Sequence, residues 1–176
     1  MVTTRHRLLV ALAALAFLVA ACGGSSDGGG SDAAGGATSA DGGPPAFTAA
    51  TLAGADLDSA SFAGQPTVLW FWAPWCTICR AEASGVVEAA GELGDDVTLL
   101  GVAGRGEVPE MEDFVSDTGT DGLTHVVDED GSIWSGYGVA AQPAFAFISA
   151  DGEVETVVGA IPEDDLVKRM QALASA

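Results

Sequence analysis

Between residues 67 and 72 the chain reads Thr-Val-Leu-Trp-Phe-Trp, apolar without alternation and rich in β-branched and aromatic side chains. A half-buried strand alternates, so this run predicts a central strand covered on both faces. From Cys76 to Leu93 the period changes. Cys79, Ala83, Val86, Val87, Ala90 and Leu93 recur at steps of three and four, which predicts a helix with one apolar face, stopped by Gly94. Val97–Val102 reads as the next strand and Val108–Asp117 as a second helix, with Met111, Phe114 and Val115 on one side. Thr124–Val127 is a short strand, Asp130-Gly131 a turn and Ile133–Tyr137 a brief helix. Ala144–Ile148 and Val154–Val158 form a hairpin about Ala150-Asp151-Gly152-Glu153. Ile161–Ala174 closes the chain as a helix whose Pro-Glu-Asp-Asp start suits the positive end of the helix dipole. Ahead of these, Phe47–Leu52 and Ala55–Leu57 flank Gly54 as an N-terminal β-hairpin. The order β–α–β–α, then hairpin, then helix, predicts an α/β domain with a mixed central sheet flanked by helices.

The first 45 residues follow another pattern. Arg5, His6 and Arg7 precede an unbroken apolar run from Leu8 to Ala21. That run is short for a transmembrane helix and fits the apolar region of a signal peptide. It ends in Val19-Ala20-Ala21-Cys22, which resembles the bacterial lipobox, where a cysteine after small residues is lipidated and becomes the new N-terminus. Gly23 to Gly43 is almost wholly Gly, Ser, Ala and Asp, too polar to offset its own ordering entropy. Such a tether spans roughly 25 Å root-mean-square. The expected organisation is a lipoprotein signal peptide over 1–21, a lipidated Cys22 with its tether over 22–45, and a folded domain over 46–176. That places the domain outside the cytoplasm, held to the cell membrane by lipid alone.

Composition narrows the function. Of 176 residues, 25 are acidic and 6 basic, a formal charge of −19. Nucleic acid is excluded as a partner, because its phosphates need Lys and Arg to displace counterions. Docking on anionic headgroups by charge is disfavoured for the same reason. Arg105, Lys168 and Arg169 lie in no motif and read as solvated charges. Three cysteines are an odd number, accounted for by one lipidated residue and one pair.

That pair is the candidate chemistry. Trp75-Cys76-Thr77-Ile78-Cys79 opens a helix directly after the central strand. A thiolate, not a thiol, attacks disulfides, and a helix N-terminus stabilises a negative sulfur. Cys76 sits at that end and is the candidate nucleophile. Cys79, one turn deeper on the apolar face, keeps its proton by desolvation and is the candidate resolving thiol. Two metal readings compete. A structural zinc needs four ligands, and the chain after Cys22 has one CxxC and one histidine, His125. A copper carrier would use Cys76, Cys79 and His125.

The stretch Trp70-Phe71-Trp72-Ala73-Pro74-Trp75-Cys76-Thr77-Ile78-Cys79-Arg80-Ala81-Glu82-Ala83 resembles the active-site segment of the TlpA/ResA/DsbE group of extracytoplasmic thioredoxin-like proteins. Gly138-Val139-Ala140-Ala141-Gln142-Pro143-Ala144-Phe145 resembles the loop that carries that group's cis-proline, and Asp130 to Ile148 is most similar to secreted DsbE/DsbF-like proteins of actinobacteria. The resemblance implies a thioredoxin fold over about Ala46 to Ala174 and dithiol–disulfide exchange with no bound cofactor. It implies Cys76 as nucleophile, Cys79 as resolving thiol and a redox disulfide between them. Pro143 is expected cis and facing the cysteines, with the backbone of Gln142 free to pair with an extended client strand. Trp75, Thr77 and Ile78 are expected to shape the client surface. Many thioredoxins have Thr or Val where this chain has Gln142.

One departure stands out. Thioredoxin carries a buried Asp six residues before its first active-site Cys, and this chain has Trp70 there. Glu82, a position where ResA-like members also have Glu, is the candidate replacement, on the buried side of the helix with a raised pKa. Glu88 and Glu92 fall on the other side. The expected partners are thiols and disulfides of secreted or envelope proteins, with a membrane redox partner that regenerates the pair. The expected direction is oxidase or isomerase, with reduction of apocytochrome c or another envelope client as the alternative.

Overall fold

The computed structural model describes residues 43–176; the expected signal peptide, Cys22 and nearly all of the expected tether lie outside the described residues. A two-stranded antiparallel sheet, β1 (Thr48–Ala50) and β2 (Asp56–Asp58), comes first, with Ala49 opposite Leu57. It is the expected N-terminal hairpin, with the first strand trimmed and the second shifted by one residue. A five-stranded sheet follows, in the order β5-β4-β3-β6-β7. Its strands are β3 (Thr67–Trp72), β4 (Thr98–Gly104), β5 (Thr124–Asp128), β6 (Ala144–Ile148) and β7 (Val154–Val158). The first three run parallel, while β6 is antiparallel to β3 and to β7, so the sheet is mixed. The helices are α1 (Thr77–Leu93), α2 (Val108–Thr118), α3 (Ser132–Gly136) and α4 (Glu163–Ala174). This is the thioredoxin fold.

Strand β3 explains its own composition. All six of its residues are buried. Val68, Trp70 and Trp72 face a cluster with Cys79, Ala83 and Val86 of α1, Met111 and Phe114 of α2, and Leu166 and Met170 of α4. Leu69 and Phe71 face a second cluster with Val102, Ile133, Trp134, Tyr137 and Phe62. Two covered faces leave no position for an unpaired polar residue: the one polar side chain, Thr67, donates its hydroxyl to the Gln65 carbonyl at 3.0 Å, and each large apolar side chain buried this way contributes about 1.5–3 kcal/mol.

Most differences from the expected elements are at their ends. Helix α1 begins at Thr77, with Cys76 as its N-cap and not its first helical residue. Strand β4 runs on through Gly104, and α4 begins at Glu163. On α1 the fully buried set includes Ala89, while Val87 and Ala90 are only partly covered. Two short 3-10 turns, Ser59–Phe62 and Gly94–Asp96, carry no apolar period and were not expected.

Candidate active site

Three loops meet at one end of the sheet because of how the strands are ordered. Strands β4 and β6 flank β3, with Trp72 opposite Ala103 and Phe71 opposite Ala144. The C-terminal ends of β3 and β4 therefore share an edge with the N-terminal end of β6. Past that edge lie the Ala73–Cys76 loop, the Arg105–Glu107 loop and the loop ending at Pro143. Their close approach needs a small residue. A Cβ on Gly106 would fall 2.4 Å from Cγ of Pro74.

Cys76 and Cys79 are joined by a disulfide. Cys76 occupies the N-cap position in extended conformation, and its Sγ accepts the backbone N–H of Cys79 at 3.1 Å, as a Ser or Asp oxygen does at other helix starts. That N–H and the helix dipole both favour negative charge on Cys76. Cys79 is fully buried, and Cys76 is itself only 5% exposed. The helix-end cysteine is thus largely covered, and the open surface belongs to its neighbours. Trp75 and Ile78 are 59% and 55% exposed, unusual for large apolar side chains, and Thr77 is exposed as well. The Gln142–Pro143 peptide bond is cis, as expected, with Pro143 buried and Gln142 half-buried.

Glu82 is turned inward. Its Oε1 accepts the indole N–H of Trp70 at 2.8 Å, and its Oε2 is buried with no hydrogen-bond partner within the protein. Burial pushes its pKa up to about 7, against the opposing pull of the Trp70 hydrogen bond and of the nearby Ile161 backbone. Trp70, standing where thioredoxin has Asp, therefore holds a carboxyl supplied by the helix. A cavity of about 370 Å³ lined by Ile78, Glu82 and Ile161 lies beside that carboxyl. Glu88 and Glu92 are exposed, as expected.

Two residues stand differently from their sequence readings. His125, named above as a possible copper ligand, is 3% exposed. Its Nδ1 accepts the Trp72 indole N–H at 3.2 Å, and its Nε2 bonds the Thr120 carbonyl at 2.9 Å. Gly101 makes the room, since a Cβ there would lie 2.1 Å from that Nδ1. With both ring nitrogens engaged, and its pKa lowered by burial, His125 is a neutral core residue that leaves the copper-carrier reading without its third ligand. Among the described residues no group of three or more His, Cys, Asp or Glu is placed to hold a metal ion. Arg105, read as a solvated charge, is tied to the site. Its carbonyl accepts the Trp75 indole N–H at 2.7 Å, and its guanidinium donates to Gln142 Oε1 at 3.1 Å. Glycines around it, at 101, 104 and 106, were the sequence signal for this close packing.

Residues 43–157 match the AhpC/TSA family, and the chain belongs to that family of thioredoxin-fold proteins. Within it the chain is a DsbE-like thiol–disulfide oxidoreductase, as its relatives show. It is 45% identical over 132 residues to the soluble secreted antigen MPT53 of Mycobacterium tuberculosis, covering 73% of this chain and 75% of that one. A solved secreted M. tuberculosis disulfide oxidoreductase homologous to E. coli DsbE matches with 45% identity and a TM-score of 0.68, over 72% of this chain and 96% of that one. The exposed lipoprotein thioredoxin Etrx1 of Streptococcus pneumoniae matches with 28% identity and a TM-score of 0.66, over 73% of this chain and all of that one (100%).

Proposed function

We propose that the protein is an extracytoplasmic oxidase or isomerase of protein thiols, tethered to the cell membrane through lipid on Cys22, with residues 1–21 as signal peptide, 22–45 as anchor and tether, and 46–176 as the redox domain. The observation that carries this reading is Cys76 capping α1 with its sulfur on the Cys79 N–H. A client thiolate attacks Cys76 Sγ, the Cys76–Cys79 bond breaks, and Cys79 leaves and takes a proton. A second client thiolate then attacks the client sulfur of the mixed disulfide, and Cys76 leaves as the thiolate its N-cap position stabilises. Two electrons pass from the client dithiol to the cysteine pair, one proton ends on Cys79 and the other goes to solvent, and a membrane redox partner that accepts the electrons restores the disulfide. Glu82, half-buried with a pKa about 7, is the proton carrier for Cys79, able to give or take near neutral pH. Trp75, Thr77 and Ile78 supply the client surface. Gln142, before Pro143, offers backbone to an extended client strand.

A stabilised Cys76 thiolate favours the reduced pair and makes the disulfide the better oxidant. MPT53 is named as secreted, which fits an extracytoplasmic site, and Etrx1 is named as a lipoprotein, which fits the anchor. The deciding experiment is the reduction potential of the Cys76–Cys79 pair together with oxidation of a reduced, unfolded test protein. A potential of about −120 to −180 mV with oxidation of the test protein is expected. A value near the thioredoxin figure of about −270 mV, with no oxidation of the test protein, would overturn the oxidase reading and favour apocytochrome c or another envelope disulfide as the substrate.

A further inference from the structure

Arg105 is the one described non-glycine residue with a positive φ, 59°, in the left-handed region that side chains other than Gly, Asn and Asp seldom adopt. It follows β4 immediately, on the strand next to β3. From there it makes four contacts with two other loops and a helix. Its carbonyl accepts the Trp75 indole N–H at 2.7 Å. Its guanidinium donates to the Ala140 carbonyl at 2.8 Å and to Gln142 Oε1 at 3.1 Å, and lies 4.6 Å above the Trp134 ring. The platform beneath it is itself fixed. The Trp134 indole N–H donates to the Val102 carbonyl at 3.3 Å, and a Cβ on Gly104 would lie 2.8 Å from that indole nitrogen. Asp128, 3% exposed, accepts the backbone N–H of Ile133 and of Trp134 at 3.2 and 2.9 Å and so holds the first turn of α3.

We propose that Arg105 is a positioning residue for protein clients, holding Trp75 and the Gln142–Pro143 loop as one preassembled rim around the cysteine pair. The proposal rests on the thiol-exchange reading above. The guanidinium has only donors, so it fixes the Gln142 amide with its oxygen inward and leaves the amide nitrogen, the donor, for a client carbonyl. Held in this way, the rim loses little freedom when an extended client strand binds, which strengthens binding without touching the sulfur chemistry. A small dithiol needs no rim.

The test compares a reduced, unfolded protein with dithiothreitol as electron donors to the oxidised enzyme in single-turnover reactions, where the half-saturating donor concentration is read as KM and the limiting rate as kcat. Arg105→Gly is the informative variant, because glycine accepts φ 59° without strain and keeps the carbonyl that holds Trp75. It should raise KM for the protein substrate about ten-fold with kcat nearly unchanged. The rate with dithiothreitol and the reduction potential should stay at wild-type values. Arg105→Lys, which keeps charge but not the two-pronged planar donor, should recover only part of the lost affinity. Wild-type KM in Arg105→Gly overturns the inference, and so does a parallel loss with dithiothreitol, which would place Arg105 in the sulfur chemistry. A wild-type enzyme that turns over no protein thiol at all sinks the proposed function instead.

Discussion

At Glu82 two opposing effects act on one carboxyl. Burial favours the neutral acid, while the Trp70 indole and the nearby Ile161 backbone favour the anion, and burial wins with a pKa about 7. The sign of the stability effect follows. The folded-state pKa lies above the ordinary 4.5, so the unfolded chain ionises first and stability falls as pH rises from 4.5 to about 7. After discount for the solvent that reaches the side chain, the loss should be about 1–2 kcal/mol, and Glu82→Gln should flatten it in denaturant midpoints measured across that range. The same variant tests the proton-carrier role. In single-turnover resolution of a mixed disulfide, where Cys79 attacks, the wild-type rate should fall below about pH 7 as Glu82 becomes protonated. Glu82→Gln should lose that inflection, and Trp70→Phe, lacking the indole donor, should move it to higher pH. An unchanged profile in both would remove Glu82 from the chemistry. For the sulfurs themselves, mild alkylation of the reduced protein should label Cys76 first, and Cys79→Ser should trap mixed disulfides while Cys76→Ser does not. Preferential labelling of Cys79 would reverse the assignment. The inward carboxyl was legible from its place on the helix face, one residue before Ala83. The true settings of Arg105 and His125 were not, because their partners come from distant segments. Trp75 and Gln142 lie 30 and 37 residues from Arg105, and Trp72 lies 53 from His125.

Elements were legible where apolar residues keep one period for several turns or where a strand is buried on both faces. Strands β3, β6 and β7 fall on their expected bounds, since Gln65-Pro66, Pro143 and the Asp151-Gly152 turn end them sharply. Ends set by capping were less legible. Cys76 is an N-cap only because its sulfur accepts a backbone N–H, a role the helical period of the residues beyond it does not encode. Helix α3 is the clearest case of tertiary control. At five residues it is too short to hold itself, and the Asp128 carboxylate supplies two acceptors to its first turn. Asp128→Ala should therefore destabilise the domain by about 1–3 kcal/mol in chemical denaturation. It should also loosen Trp134 beneath Arg105, so client KM should rise along with the stability loss. Undiminished stability would mean that α3 is held by the packing of Ile133 and Trp134 alone.

On the scale of the whole molecule, charge bears on the proposed membrane tether. The chain carries −19 overall, and its six cations divide between the signal region, with Arg5 and Arg7, and the domain, with Arg80, Arg105, Lys168 and Arg169. Each of the domain's four is already engaged. Arg80, Lys168 and Arg169 pair with Asp117, Asp165 and Glu155, and Arg105 is committed to Gln142 and Ala140. Nothing cationic is left over to hold an anionic lipid surface, where each free Lys or Arg contributes about 1 kcal/mol. The proposed attachment therefore rests on acyl chains on Cys22 alone, and it should be insensitive to salt. The full-length protein should sediment with membranes and stay there through a high-salt wash, which strips proteins bound by charge. Cys22→Ala should move it to the soluble fraction with its redox activity intact, and mass spectrometry of the mature wild-type N-terminus should show a lipid-modified cysteine. Release of the wild type by salt, or an unmodified N-terminus at another residue, would replace the tethered enzyme with a freely secreted one.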